Sequence, residues 1–222
     1  WVGARDGATF ERQSPAHEVV VGRYPQGGIA DLDAAVAAAR RAFDEGPWPR
    51  MTPAERATMM RKLGAVLERR CAELDAAWIG QVGVPVSMAR GSGIGASMLL
   101  SYYADLAEKT VFEDVRPSQG FVSKFAVVVK EPVGVVAAVN PWNGPLMGMF
   151  MKVAPALAAG CTIVMKPSPE TPLETFLIAE AAEEVGFPAG VLNLLTADRE
   201  MSDRLISHPG IDKVAFTGST AV

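Results

Sequence analysis

Along the first half of the chain, apolar residues recur every three or four positions, the spacing of one face of an amphipathic helix. The pattern predicts helices over residues 31–43, from residue 53 onward, over 71–81 and over 94–110. The second helix has the clearest start, since Thr52 can cap it, Pro53 suits its first position and Glu55 completes a capping box. Asp31 is the expected cap of the first. Such stripes are typical of core faces, so they indicate a packed helical region.

From residue 125 the pattern changes to short apolar, β-branched runs separated by helical segments. These runs predict strands at 125–129, 133–139, 162–165, 191–195 and 214–216. Helices are predicted between the last four strands, at 145–159, 173–185 and 200–207. Continuous apolar strands joined by helices are typical of a parallel sheet that is covered on both faces, so the fold class is α/β.

The two ends of the sequence are unusual for a complete domain. The chain starts at Trp1 rather than at a methionine, and it stops at Val222, just after the last predicted strand. A parallel strand at that point needs a crossover helix to cover it and to continue the sheet. We therefore expect a sequence that is truncated inside a domain.

The composition excludes several classes of protein. The 222 residues include 21 Lys and Arg against 25 Asp and Glu, and a net charge of −4 gives no electrostatic footprint for nucleic acid. Two cysteines, Cys71 and Cys161, cannot form a disulfide framework, and His17 and His208 give no local metal motif. No apolar run reaches the ~18 residues of a membrane span. We expect a cytoplasmic globular protein with no membrane, nucleic-acid or metal partner.

Three segments follow predicted strands, at the strand ends where open parallel sheets bind ligands. The first, 140–145, contains Asn143 before a predicted helix, where a side-chain amide can donate a hydrogen bond to a developing oxyanion. An asparagine there can equally act only as a helix cap. The second, 165–170, contains Lys166 between an apolar strand and a proline. This lysine can meet a phosphate or a ribose hydroxyl, or simply extend into solvent.

The third segment, 217–220, is a small-residue turn after the last strand. Its backbone amides and hydroxyls can approach a pyrophosphate closely. A short turn of this kind is a weak signal alone, and the full GxGxxG pattern of dinucleotide-binding folds is absent. Together, the three segments indicate a ligand-binding edge of the sheet more strongly than any one of them does alone.

The sequence resembles the aldehyde dehydrogenase superfamily, in its amino-terminal portion only. The resemblance rests on motifs in the order and spacing of that family, with SPA at 14–16 as a compatible earlier match. These motifs are EPVGV at 131–135, PWN at 141–143, APALAAGCT at 154–162, KPS at 166–168, GFPAGVLN at 186–193 and HPGIDKVAFTGS at 208–219. The resemblance implies a Rossmann-like parallel sheet covered by helices and an oxidoreductase that converts an aldehyde to a carboxylic acid with NAD or NADP.

Residue roles also follow from the resemblance. It implies that Asn143 is the side-chain donor of the oxyanion hole, which stabilises a tetrahedral thiohemiacetal. It implies that Lys166 holds the adenosine ribose, that Gly218 and Ser219 meet the pyrophosphate and that Val222 flanks the adenine. The other implied cofactor-binding residues are Val139, Asn140, Pro141, Trp142 and Ser168.

Two departures from the family pattern concern the cofactor. NAD-preferring members often carry a glutamate three residues after the lysine, but that position is Pro169 here and the acid is displaced to Glu170. A carboxylate against the ribose repels a 2′-phosphate, so the displacement leaves NADP open. In addition, no glycine lies between Gly190 and Gly210, where many relatives have them, and Ser202 stands in place of one.

The family's catalytic cysteine and its general-base glutamate normally lie beyond the TGS motif, and neither motif occurs in this sequence. Cys161 stands at the entrance to a buried strand, and Cys71 lies among helical leucines, so both are expected to be core residues. The fragment alone is therefore expected to be inactive. The alternatives are a non-catalytic nucleotide-binding or assembly module, and an acylating relative that passes its thioester to coenzyme A.

The resemblance also divides the chain. Residues 1–114 are expected to form the helical part of the cofactor domain, residues 115–131 an arm that joins subunits, and residues 132–222 the incomplete dinucleotide-binding core. A small-molecule aldehyde is the expected substrate, and the intact protein is expected to be a homodimer or homotetramer.

Overall fold

The computed structural model describes residues 2–117 and 125–219, which form α-helices, two antiparallel hairpins and one parallel sheet. The helices are α1 (Ile29–Asp44), α2 (Pro53–Arg69), α3 (Cys71–Val82), α4 (Val86–Ala89), α5 (Ser92–Lys109), α6 (Pro145–Ala159), α7 (Leu173–Val185) and α8 (Arg199–Ile206). The strands are β1 (Thr9–Gln13), β2 (Val20–Pro25), β3 (Glu113–Pro117), β4 (Phe125–Val129), β5 (Val135–Val139), β6 (Thr162–Lys166), β7 (Leu192–Leu194) and β8 (Lys213–Phe216).

The parallel sheet has the strand order β7-β6-β5-β8. Strand β5 pairs with β6 on one side and with β8 on the other, and every residue of β5 and β6 is buried. These are the continuous apolar strands that the sequence predicts, and the parallel α/β fold is confirmed. The α6 and α7 bounds equal the predicted ones, while β7 is shorter than predicted because only its middle three residues pair with β6.

Helices cover both faces of this sheet, and the alternation of side chains along β5 divides the core in two. Val136 and Ala138 point into the larger core, which also includes residues of α2, α3, α5, α6 and α7. Val135, Ala137 and Val139 point into a smaller core with α1 and α8. Because successive side chains of a strand face opposite sides, a buried strand needs apolar residues at every position, as β5 has.

Helix α2 starts as its sequence predicts. The Thr52 hydroxyl accepts a hydrogen bond from the Glu55 amide at 3.3 Å, and the Glu55 carboxylate accepts one from the Thr52 amide at 2.7 Å. Helix α1 differs from expectation, since its N-cap is Gly28 and Asp31 lies three residues further on. The Asp31 carboxylate instead accepts a hydrogen bond from the Gly28 amide at 3.0 Å. Asp31 therefore stabilises the helix start from inside the first turn.

Strands β1, β2 and β3 were not expected from the sequence. Apart from the buried Tyr24, their positions are exposed or half-buried, and they contain charged residues and, in β2, a glycine, so they lack the apolar runs of the sheet core. Pairing with a neighbour in an antiparallel hairpin satisfies their backbone groups instead. The β3–β4 hairpin has apolar side chains open to solvent, with Phe125 at 63% and Val115 at 66% exposure.

Within residues 2–117 and 125–219, none of the helices combines the length and the apolar character needed to cross a lipid bilayer.

The capping box of α2 yields a stability prediction. Thr52→Ala removes the hydroxyl that accepts the Glu55 amide, so we expect the free energy of unfolding to fall by about 1 kcal/mol. Thr58→Ala is the matched control, because Thr58 is exposed in the middle of the same helix and alanine favours helix there. Equilibrium denaturation of both variants measures the difference. Equal stability of the two variants would contradict a capping role for Thr52.

Candidate functional site

The order of the sheet strands creates a crevice beside β5. From β5 the chain moves outward through β6 to β7, and then α8 returns it to β8 on the other side of β5. The connections that leave β5 and β8 therefore diverge at the carboxyl ends of these two strands. In open parallel sheets this divergence is the place where ligands bind.

The strand register brings the three segments singled out in the sequence to this crevice. Val139 at the end of β5 is paired with Lys166 of β6 and with Phe216 of β8. The Asn140 amide donates a hydrogen bond to the Lys166 carbonyl at 3.1 Å, and the Thr217 amide donates one to the Val139 carbonyl at 3.3 Å. The segments after β5, β6 and β8 thus leave the sheet side by side.

Lys166 is the most unusual residue at this edge. Its side chain is only 3% exposed, so it does not extend into solvent. Burial lowers the pKa of its ammonium group to about 8, against an opposing effect of the nearby carboxylates of Glu170 and Asp198. Among the described residues, no side chain or carbonyl accepts a hydrogen bond from this ammonium group. A buried amine that has no hydrogen-bond acceptor within the protein is suited to bind an acceptor atom of a ligand.

The two carboxylates near Lys166 come from different elements. Glu170 lies in the loop between β6 and α7, where the Ser168 hydroxyl donates a hydrogen bond to it. Asp198 is the N-cap of α8 and accepts a hydrogen bond from the Met201 amide at 3.0 Å. Glu170 stands one position after the usual place of the family's glutamate, and it is still close enough to act on Lys166. Asp198 was missed by sequence reasoning, although an aspartate before a polar-apolar helix is a common cap.

Asn143 lies in the loop between β5 and α6. The N-cap of α6 is Gly144, and no side chain makes a cap hydrogen bond there, so the helix-cap alternative for Asn143 is wrong. The backbone of Asn143 is held, since the indole N–H of Trp78 donates a hydrogen bond to its carbonyl at 3.2 Å. The Asn143 residue itself is exposed. The described residues provide no hydrogen-bond partner for its side-chain amide, which is therefore available to a ligand.

Asn140 has a different environment from Asn143. It is 5% exposed, and its amide group donates a hydrogen bond to the Pro145 carbonyl at 2.8 Å. Its carbonyl oxygen accepts one from Lys152 at 3.1 Å, and Lys152 also donates to the Gly148 carbonyl at 2.7 Å. Burial lowers the pKa of Lys152. The hydrogen bonds of Asn140 and Lys152 therefore fix the Asn143 loop to α6. A lysine in an otherwise apolar helix was the sequence signal for it.

The remaining candidate residues lie on the rim of the crevice. Trp142 is 54% exposed, and Gly218 and Ser219 are exposed after β8. A Cβ at Gly218 would lie 2.3 Å from the tip of the exposed Phe216 ring, so a larger residue there would require that ring to move. Val222 lies outside the described residues. Pro141, half-buried, connects β5 to the Asn143 loop.

The two cysteines differ in burial. Cys161 is 2% exposed, and burial raises the pKa of its thiol, which suits a packing role. Cys71 begins α3 and is half-buried rather than in the core, with its sulfur 3.8 Å from the Asp75 carboxylate. Within residues 2–117 and 125–219, no three His, Cys, Asp or Glu side chains are arranged to hold a metal ion.

The structure also contains a groove of about 680 Å³ along the outer edge of β7, between α1 and α7. None of Asn143, Lys166 or Gly218 lines it. The groove is therefore distinct from the crevice between β5 and β8.

Comparison with known proteins gives a consistent result. The family model described as "Aldehyde dehydrogenase family" matches residues 1–222. The chain is 41% identical to geranial dehydrogenase of Castellaniella defragrans and 39% identical to 3-sulfolactaldehyde dehydrogenase of Pseudomonas putida. Each alignment covers all of this chain, but 46% of the first relative and 45% of the second.

Solved structures agree with these sequence matches. An NAD-dependent aldehyde dehydrogenase from Sinorhizobium meliloti superimposes with a TM-score of 0.94 at 40% identity, covering 98% of this chain and 43% of that one. A betaine aldehyde dehydrogenase from Staphylococcus aureus in complex with NAD+ superimposes with a TM-score of 0.94 at 34% identity. This match covers 99% of this chain and 43% of the betaine aldehyde dehydrogenase chain. The chain spans a little under half the length of the relatives it matches, and over that span it belongs to the aldehyde dehydrogenase family.

Proposed function

We propose that the complete gene product oxidises an aldehyde to a carboxylic acid with a nicotinamide dinucleotide, and that this chain supplies the cofactor crevice and an oxyanion donor. The observation that carries the proposal is Lys166, a residue 3% exposed beside the divergence of β5 and β8, whose ammonium group has no acceptor among the described residues. The solved relative that contains NAD+ has the same fold at 34% identity.

The crevice residues fit a dinucleotide. Lys166 would hold ribose hydroxyls, and the exposed backbone of Gly218 and Ser219 would approach the pyrophosphate. Val139, Asn140, Pro141 and Trp142 would form the wall between them, with Ser168 beside the ribose. When bound, the nicotinamide ring supplies the acceptor for the hydride of the aldehyde. The protein's contribution is to orient this ring and to exclude water from it.

The charges around Lys166 favour NAD over NADP. Glu170 and Asp198 both act electrostatically on Lys166, so a cofactor bound there meets two carboxylates as well as one ammonium group. A 2′-phosphate would add two negative charges near these carboxylates, whereas ribose hydroxyls can donate hydrogen bonds to them. One relative, PuuC of Escherichia coli, is named NADP/NAD-dependent at 36% identity, so both cofactors need to be measured.

Lys166 and Glu170 can be tested together by cofactor titration. Lys166→Met should raise the dissociation constant for NAD+ by roughly tenfold to a hundredfold, because a charge-assisted hydrogen bond is lost. Glu170→Gln should lower the dissociation constant for NADP+ relative to NAD+ by roughly tenfold. The measurement is Trp142 fluorescence or calorimetry on the complete gene product.

The pH dependence adds a second criterion. The ammonium form of Lys166 is lost as pH rises through about 8, so wild-type affinity should fall above that pH while Lys166→Met stays flat. Lys62→Met and Glu68→Gln, both exposed on α2, are matched controls for the change of net charge. Affinity and pH profile unchanged in Lys166→Met would refute cofactor binding by this residue.

Asn143 is placed to stabilise a developing oxyanion. Its backbone is held by Trp78, its side chain is exposed, and it precedes the positive end of α6. A fixed donor of this kind lowers the energy of the tetrahedral transition state without reorganising during the reaction. The nucleophile and the general base that the family uses would come from outside these residues.

Asn143→Ala should therefore lower kcat by about 10²–10³-fold while the dissociation constant for NAD+ changes little. Asn143→Asp is a more severe variant of nearly equal size, since it replaces the donor with a negative charge. Steady-state kinetics and cofactor titration of both variants separate catalysis from binding. A wild-type kcat in Asn143→Ala would show that the amide takes no part in the reaction.

Methionines on α5 and α6, the second of which follows the Asn143 loop, support an apolar aldehyde as the substrate. Met147 packs against Gly95, and Met151, one turn further along α6, is 67% exposed. Met98 on α5 is 68% exposed. Flexible thioethers adapt to irregular aliphatic groups and offer nothing to bind a charge. The two relatives at 41% and 39% identity are named for geranial and 3-sulfolactaldehyde, an apolar and an anionic aldehyde, and these methionines agree with the first.

The β3–β4 hairpin supports an oligomer. Its strands are exposed along nearly their whole length, and β-branched residues such as Val127 and Val129 are 49% and 52% exposed. Exposed apolar strands of this kind need a partner to bury them. We assign them to an arm, residues 115–131, that pairs with a second copy in a homodimer or homotetramer. Two free cysteines suit the cytoplasm.

An activity assay separates the aldehyde dehydrogenase from the alternatives. The complete gene product, supplied with an apolar aldehyde and NAD+, should form reduced cofactor and free acid without coenzyme A. Formation of acid only when coenzyme A is present would instead identify an acylating enzyme. Cofactor binding without any turnover on apolar or charged aldehydes would identify a non-catalytic nucleotide-binding or assembly module.

A further inference from the structure

A buried polar cluster lies at the far end of the loop that Lys166 begins. We define the Glu174 cluster as Tyr24 of β2, Gln81 of α3, Thr171 of the β6–α7 loop and Glu174 in the first turn of α7. All four residues are buried, with Glu174 and Gln81 at 1% exposure. These residues have no role in the aldehyde chemistry proposed above.

Gln81 is bonded to both the helix start and the carboxyl group. Its amide nitrogen donates to the Glu174 carboxyl at 2.7 Å, and its amide oxygen accepts from the Leu173 amide at 3.0 Å. The Leu173 and Glu174 positions are the first two of α7, immediately after the loop. The cluster therefore fixes the end of the 166–172 loop onto α3.

Several oxygen atoms of the cluster have no partner. Within the described residues, the Tyr24 hydroxyl, the Thr171 hydroxyl and the second carboxyl oxygen of Glu174 are buried and make no hydrogen bond. Burial and, after it, the nearby Glu174 carboxyl raise the pKa of the Tyr24 hydroxyl, so these two groups lie close together. Leaving three oxygens unpaired is costly, whereas a protonated carboxyl can donate to one of them.

No cation compensates a carboxylate at this position. The groups that interact with Glu174 are Tyr24 from β2 and the neutral amide of Gln81 from α3, while Lys166 lies at the loop's opposite end. Among the described residues, no Lys or Arg side chain forms an ion pair with Glu174. Burial raises the pKa of Glu174 to about 7, against the opposing hydrogen bonds from its own amide and Gln81. The acid is thus neutral below that pH.

We propose that neutral Glu174 is a positioning residue, which holds the 166–172 loop in its cofactor-binding form, and that loss of its proton loosens this loop. The proton leaves the carboxyl group for solvent, and the resulting buried charge is met only by two neutral donors, its own amide and the amide of Gln81. The loop then gains freedom at its α7 end, and Lys166 is held less firmly at the crevice. The proposal rests on the cofactor role of Lys166 stated above.

The sign of the pH effect follows from the raised pKa. The stabilisation that the neutral acid contributes is complete below its ordinary pKa of 4.5, and it is lost as pH rises through the raised pKa of about 7. Cofactor affinity should therefore decrease between pH 6 and pH 8, by about fivefold if cofactor binding raises the pKa by one unit. The fall attributed to Lys166 comes at higher pH.

The experiment measures the NAD+ dissociation constant of the complete gene product between about pH 6 and pH 8. The dissociation constant of the wild type divided by that of Glu174→Gln should rise about fivefold over this range, because glutamine stays neutral at every pH. Both proteins keep Lys166, so its titration cancels in the ratio. A constant ratio would overturn the proposal.

Hydrogen exchange of the wild-type protein tests the positioning of the 166–172 loop by Glu174, and it needs neither a variant nor a cofactor. The Leu173 amide should lose protection between pH 6 and pH 8 by more than the change of intrinsic rate that α2 amides show. Equal changes at Leu173 and in α2 would overturn the positioning role. Absence of NAD+ binding at every pH would refute the cofactor role instead, and hydrogen exchange would still decide the loop proposal.

Discussion

The structure depends on the burial of β5 between two parallel neighbours. Because β6 and β8 flank it and helices cover both faces, every side chain of β5 must be apolar, and its polar neighbours can appear only at the strand end. Val139 is the last apolar residue of β5, and Lys166 of β6 and Phe216 of β8 lie beside it. The same register that fills the core thus collects the loops that carry amide, ammonium and turn residues.

A second consequence is that polar groups at this edge are buried without being neutralised. Lys166 lies beside the crevice, where two carboxylates act on it and no group within residues 2–117 and 125–219 accepts its hydrogen bond, while Lys152 is held by Asn140. The first arrangement leaves an ammonium group for a ligand, and the second makes a rigid support for the Asn143 loop. The difference between the two lysines is hydrogen bonding rather than burial.

Much of the fold could be predicted from apolar periodicity, since β5, β6, α6 and α7 have strong, uninterrupted signals. Lys166 and Asn143 could be located because they follow such strands directly. Residues that act across long sequence separations could not be predicted, including the contacts of Trp78 with Asn143 and of Gln81 with Glu174. Nothing in a helical pattern distinguishes these polar side chains from exposed ones. The same limit applies to β1 and β2, which are stabilised by pairing rather than by apolar runs.

The most direct test of the central claim is a crystal structure of the complete gene product with NAD+ bound. The account predicts a dinucleotide across the carboxyl ends of β5 and β8, with the Lys166 ammonium within hydrogen-bonding distance of the ribose and the Asn143 amide beside the reacting centre. A dinucleotide in the groove along β7, or one that makes no contact with Lys166, would contradict it.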